Sequence, residues 1–288
     1  MGSSEPGGVA EQPLNLERLD GLLALSRAAG WNQNEADWRL LLQMGHGWGL
    51  ARADGTLVAS TLVLPYGAGF AWVSMVLVLP EERRKGHASR LIKRALSDLK
   101  ALGLTPVLDA TPAGREVYVC EGFRDTWGFG RFFLRAARLA RAGPPAGVRP
   151  LVETDWPAIL ALDTPAFGTS REPLLKALAR RLPQAALVAE RAGRISAFLL
   201  GRDGRVAHQL GPLVAIETGA APALLAAALA RVAAPLYMDI GDQAPALRAC
   251  AEAHGFVLQR SFTRMVFGAG RAPGDPSRMM AVAGPELG

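Results

Sequence analysis

Residues 76–96 constrain the fold more than any other stretch of the chain. An apolar run ends at Pro80, and a charged turn then carries Arg83-x-x-Gly86-x-Ala88. The next residues set Leu91, Ile92, Ala95, Leu96 and Leu99 on one face of a helix, with Arg90, Lys93, Arg94 and Asp98 off it. A strand that feeds a helix through such a turn predicts an α/β chain. The turn also suits a phosphorylated ligand: its N–H groups and the helix N-terminus point at an anion, and Gly86 admits a close backbone approach. Arg83, Arg84 and Lys85 add charge-assisted hydrogen bonds. No Gly-Lys-Ser/Thr follows and only one glycine lies in the turn, so it is neither a Walker loop nor a dinucleotide fingerprint.

A second segment, residues 105–123, reads as a short strand over 106–110 and a turn, Thr111-Pro-Ala-Gly114, opening a helix with proline near its start. Gly122 ends that helix and Phe123 starts the next strand.

Together the two segments resemble the GNAT N-acetyltransferases. Val78-x-Pro80-x-x-Arg83-x-x-Gly86-x-Ala88 is similar to the family's motif A, and Tyr118-Val-Cys-Glu-Gly122-Phe123 to its motif B. The resemblance implies that acetyl-CoA lies between two splayed strands and is held by Val76, Leu77, Val78, Arg83, Arg84, Lys85, Gly86, His87, Ala88 and Ser89. N–H groups near Met75 to Leu77 would polarise the acetyl carbonyl, and Tyr118 would protonate the departing thiolate. A phenol with a pKa near 10 can do so at neutral pH; packing on the sheet is the other reading of Tyr118. An attacking amine must lose a proton. The glutamate that many members carry on the strand Ala71-Trp-Val-Ser-Met75 is missing, which leaves Asp109 as a candidate base or as a capping carboxylate.

At 288 residues the chain is long enough for two domains, and the pattern repeats. Gly122-Phe123 with Phe129 and Arg131 is matched at the same intervals by Gly255-Phe256 with Phe262 and Arg264. In register, Arg83, Gly86 and Ala88 correspond to Ala221, Leu224 and Ala226, and Tyr118 to Ala251, so the second copy loses the turn and the acid. The expectation is two GNAT-like modules of α/β (α+β) class, each a mixed, mostly antiparallel sheet flanked by helices: a catalytic one at 13–135 and a degenerate one at 151–268. Residues 136–150 read as a linker, and 1–12 and 269–288, rich in Gly, Pro and Ser, as disordered tails.

On the acceptor side the resemblance points to the loop between the first two helices. There Trp31 offers an apolar wall and Asn32, Gln33 and Asp37 polar contacts, unless the polar groups serve as helix caps. Asp163 and Arg171 occupy the corresponding loop of the second half, to contact substrate or to pair with each other.

Half the residues are hydrophobic and a fifth charged, as in a globular protein. No apolar run reaches the roughly 18–20 residues of a membrane span. The first residues lack a signal peptide's basic and apolar regions, and two cysteines make no disulfide framework or metal spacing. A cytoplasmic setting without a metal is expected. The net charge of +6 includes a cluster at Arg131, Arg135, Arg138 and Arg141, but no nucleic-acid motif accompanies it. The expected activity is transfer of an acetyl group to a small-molecule or peptide amine; the alternative is an acyl-CoA-binding regulatory or scaffold protein without turnover.

Overall fold

The computed structural model of the chain describes residues 8–67, 69–136, 145–217 and 219–288. They form two compact units. One takes in the described residues of Met1–Leu108, Ala113–Arg124 and Val266–Gly270; the other takes in those of Asp109–Pro112, Asp125–Met265 and Arg271–Gly288. Among the described residues no helix is long and apolar enough to cross a membrane.

The first unit runs β1 (Ala10–Pro13), α1 (Leu19–Ala28), α2 (Glu35–Met44), β2 (His46–Ala51), β3 (Leu57–Tyr66), β4 (Phe70–Val78), α3 (His87–Ala101) and most of β5 (Thr105–Ala110) and α4 (Pro112–Cys120). Its strands lie in chain order and pair antiparallel, except that β4 and β5, joined through α3, are parallel. Central β3 is buried along nearly its whole length because α1 and α3 both pack against it. Leu22 and Leu25 of α1 and Trp38 and Leu41 of α2 lie at helical spacing and fill the core. The start of α2 is set by a capping box. Asn34 Oδ1 accepts from the Asp37 N–H at 3.1 Å, and Asp37 Oδ2 accepts from the Asn34 N–H at 2.9 Å, a cap worth about 1 kcal/mol. Val266–Gly270 completes the unit. The Phe267 ring meets Phe123 edge-on at 5.5 Å, and the Gly268 N–H donates to Gly122 O at 3.0 Å.

The second unit holds most of β6 (Phe123–Leu134), then β7 (Val148–Pro150), α5 (Trp156–Phe167), α6 (Glu172–Arg181), β8 (Leu187–Arg191), β9 (Arg194–Arg202) and β10 (His208–Ala215). It continues with α7 (Ala220–Leu229), β11 (Leu236–Gly241), α8 (Pro245–Ala253), most of β12 (Val257–Phe267) and β13 (Met279–Val282). From β7 to β12 the order of elements repeats that from β1 to β6, as the sequence repeat predicts. The strand order is β12-β6-β11-β13-β10-β9-β8-β7, over a core that includes Leu199, Leu213, Leu224, Leu225, Met238 and Phe256.

Three segments differ from the sequence reading. Glu11 and Gln12, placed in a tail, pair with Leu50 and Gly49 as part of β1. β7 begins inside the expected linker, of which 137–144 lie outside the described residues. Residues 269–288, expected to be disordered, carry β13, and Met279, Ala281, Val282, Ala283 and Leu287 are buried. Composition averaged over the segment hides its apolar run Met279-Met-Ala-Val-Ala283, which has a strand's worth of partners. Of the arginine cluster, Arg131 is buried on Asp239, and Arg138 and Arg141 lie outside the described residues.

Candidate active site

In the first unit β4 and β5 stay paired for three steps only, Phe70↔Thr105, Ala71↔Pro106 and Trp72↔Val107. Beyond Trp72, β4 continues to Val78 without β5. It is also bulged there: Leu62 pairs with Ser74 and Ser60 with Leu77, so Met75 and Val76 together oppose Thr61. Met75 adopts a left-handed conformation (φ 50°), held by the Ser60 hydroxyl, which donates to Met75 O at 2.8 Å. The bulge sets Met75 and Val76 against a single partner residue beside the gap, where the stretch Val76–Val78 expected to contact a cosubstrate begins.

After Val78 the chain enters the basic turn. Arg84 and Gly86 both have positive φ, 64° and 81°, and Gly86 caps α3 without any side-chain hydrogen bond. The N–H groups of His87, Ala88 and Ser89 in the first turn of α3 therefore have no intrahelical acceptor. A Cβ built on Gly86 meets nothing within 4 Å, so the space in front of the turn is open. Arg83 and Arg84 are exposed. Lys85 and His87 instead direct their side chains at Glu82, with Nζ at 3.0 Å and Nε2 at 3.2 Å from Oε2, while Arg52 Nη2 lies 2.6 Å from Oε1. Arg52 first, then Lys85 and His87, hold the Glu82 carboxyl down to about 2. Glu82 thus organises the turn, and sequence reasoning missed it: its only local signal was an acidic residue three and five positions before two basic ones.

Tyr118 lies on α4 in the same unit, half-buried, with its ring 6.0 Å from Phe123. Burial pushes its phenol well above the ordinary value, so it remains protonated throughout the neutral range.

The acceptor-side candidates separate. Asp37 is spent on the capping box. Trp31 is half-buried and its backbone N–H donates to Ser26 O at 2.9 Å. Asn32 and Gln33 are buried, and Gln33 Oε1 has no hydrogen-bond partner among the described residues. In the second unit Asp163 and Arg171 pair with each other through bonds of 2.9 and 3.0 Å, both fully buried, and Arg171 Nη1 also donates to Gly288 O at 2.7 Å. The structure thus selects pairing over substrate contact for these two. Asp109, the candidate base, is equally engaged. Both its oxygens accept from Arg264, at 2.9 Å each, and its side chain is inaccessible. Burial pushes its carboxyl up while Arg264 pulls it down. With both oxygens held and no solvent access, it is poorly suited to take a proton from a substrate.

The second unit repeats the gap but not the turn. β10 and β11 pair in parallel over His208↔Leu236, Gln209↔Tyr237 and Leu210↔Met238, then part around a bulge in β10. The residues that follow β10 include none of the basic side chains, and α7 begins with Ala220-Ala-Pro-Ala.

Comparison with known proteins agrees with this fold. The model of the acetyltransferase (GNAT) family matches residues 16–119, and that of an acetyltransferase (GNAT) domain matches residues 159–281. The uncharacterized N-acetyltransferase YitH of Bacillus subtilis is 22% identical over 231 residues, 80% of this chain and 81% of that one. A crystal structure of a Pyrococcus horikoshii protein assigned to the acetyltransferases superposes with a TM-score of 0.80 at 19% identity, covering 98% of this chain and 96% of the other. A tandem GNAT protein from the clavulanic acid biosynthesis pathway does so with a TM-score of 0.62 at 18% identity, covering 93% and 100%. The chain belongs to the GNAT family of acetyltransferases. It is a GNAT-type N-acetyltransferase with two such domains in tandem.

Proposed function

We propose that the chain transfers an acetyl group from acetyl-CoA to a primary amine of a small molecule or peptide, in the first module, by direct attack within a ternary complex. The observation that carries this reading is the coincidence, in one unit, of the β4–β5 gap, the bulge at Met75 and the open turn at Gly86. The anion would rest on the N–H groups of Gly86 to Ser89, with Arg83 and Arg84 as exposed cations. Lys85 and His87 contribute backbone and, through Glu82, shape the turn. N–H groups at Val76 and Leu77 would polarise the acetyl carbonyl. The amine nitrogen forms the new C–N bond, the C–S bond breaks, and Tyr118 gives its proton to the sulfur. Solvent would then restore the phenol. The amine's own proton would leave through water, since Asp109 is committed to Arg264. Gln33 Oε1, a buried acceptor that receives no hydrogen bond among the described residues, would orient the amine. A cytoplasmic setting is supported by the two free cysteines, Cys120 and Cys250.

The test is a screen of amines with acetyl-CoA that follows free thiol and acetylated product together. Thiol release matched by product is expected for at least one amine class. Binding of CoA without any amine-dependent thiol release would favour the non-catalytic alternative.

A further inference from the structure

The second unit fills its own gap. Where β10 and β11 part, β13 enters between them. Leu213 and Val214 of β10 pair with Ala281 and Met279, and Asp239 and Ile240 of β11 pair with Val282 and Ala281, all antiparallel. The first unit leaves the matching stretch of β4 without β5 after an identical three-step ladder.

The fit is built from both sides. Gly211 of β10 has φ 141°, and a Cβ there would collide with the Val282 carbonyl, so the glycine is what admits β13. Gln243, just before α8, donates from Nε2 to Pro276 O at 2.7 Å and to Met279 O at 2.8 Å. The Asp275 N–H donates to Pro165 O and Ala166 O at 3.0 and 3.1 Å, and a Cβ on Gly274 would strike the Ala166 carbonyl. Beyond β13, Glu286 pairs with buried Arg202, and Gly288 receives Arg171. Main-chain pairing and buried charge hold the segment while its apolar side chains enter the core, which is how a groove holds an extended peptide.

We propose that the β10–β11 gap is a binding groove for an extended peptide strand, whose resident ligand is Pro276–Val282 of the same chain. This strand takes the place that a cosubstrate's extended arm would take in the first module, a comparison that rests on the functional reading above. The second module has therefore exchanged a diffusible ligand for a covalently tethered one.

The test uses the full chain with a protease site inserted after Gly270, where Gly270 and Arg271 are exposed. Cleavage frees the backbone without touching the groove. The fragment from Arg271 onward should stay bound through native gel filtration and leave only on denaturation. Gln243→Ala, which removes two hydrogen bonds, should speed its loss about tenfold or more. Ready dissociation from the cleaved, otherwise unaltered protein would overturn the proposal. In the uncut chain, hydrogen exchange should show the Met279–Val282 amides protected like those of β10; exchange at loop rates would equally overturn it. Neither readout involves CoA, so these outcomes stand apart from the acetyltransferase reading.

Discussion

Arg264 grips Asp109 across 155 residues of chain with two parallel N–H···O bonds of 2.9 Å. Arg131 grips Asp239 in the same way, at 2.8 and 2.7 Å across 108 residues. Each pair joins the arginine of one half's last strand to an aspartate on the fifth strand of the other half, and Phe129 and Phe262 stack between them at 5.1 Å. The repeat seen in the sequence is thus a reciprocal exchange of last strands, fastened by buried charge. Removing one member leaves an uncompensated charge out of water, which typically costs about 3–5 kcal/mol. Asp109→Asn is expected to lose stability on that scale in chemical denaturation, and Asp109→Leu with Arg264→Met to recover much of it. An Asp109→Asn protein of unchanged stability but much reduced turnover would mark Asp109 as a base instead.

One CoA is expected per chain. Calorimetry should give a stoichiometry near one, and Gly86→Val should abolish binding. The substitution forces a β-branched side chain into φ 81° and puts its bulk in the open space before the turn. A stoichiometry of two, or unchanged affinity in the variant, would show that the turn is not the anchor.

How much of this was legible in the sequence follows the range of the interactions. The turn at Arg83–Gly86 and the helix carrying Tyr118 are local, set by residues within a few positions of each other, and the structure has them where they were expected. Glu82 escaped notice because its third partner, Arg52, is 30 residues away. The exchange of β6 and β12 escaped for a stronger reason: alternation specifies a strand and its faces, not its neighbours. β13 was lost to composition, since the glycines that read as disorder include Gly274, where the Ala166 carbonyl leaves no room for a Cβ. The partner of Asp109 was not legible either, because Arg264 lies 155 residues away.

Tyr118→Phe should lower turnover about 10²–10⁴-fold while leaving acetyl-CoA affinity nearly unchanged, because only the hydroxyl is lost and the contact with Phe123 is kept. Single-turnover kinetics with a saturating amine would show it. Turnover within a factor of two of the parent protein would make Tyr118 a packing residue.

The pH profile should be one-sided. Burial raises the Tyr118 phenol, so its acid form is retained as pH rises through neutrality and beyond its unfolded value near 10. With Asp109 held by Arg264 and the amine's proton leaving through water, kcat/KM should climb with the fraction of neutral amine and track the amine's own pKa from one substrate to another. A rising limb fixed near one pH for amines of different basicity would reveal an enzyme base.

The halves should not fold apart. A chain ending at residue 136 would lack Val266–Gly270, which completes the first unit, and would leave β6 without β11, its partner from Leu236↔Leu134 to Gly241↔Phe129. It would also expose Arg131 without Asp239 and Asp109 without Arg264. Two unpaired buried charges and an open strand edge predict aggregation of either half expressed alone. Co-expression of residues 1–136 and 145–288 should restore a soluble complex that binds CoA, because the exchanged strands can still find their places in trans. A first half that is monomeric, cooperatively folded and fully active by itself would show that the exchange is dispensable and the second module a passenger.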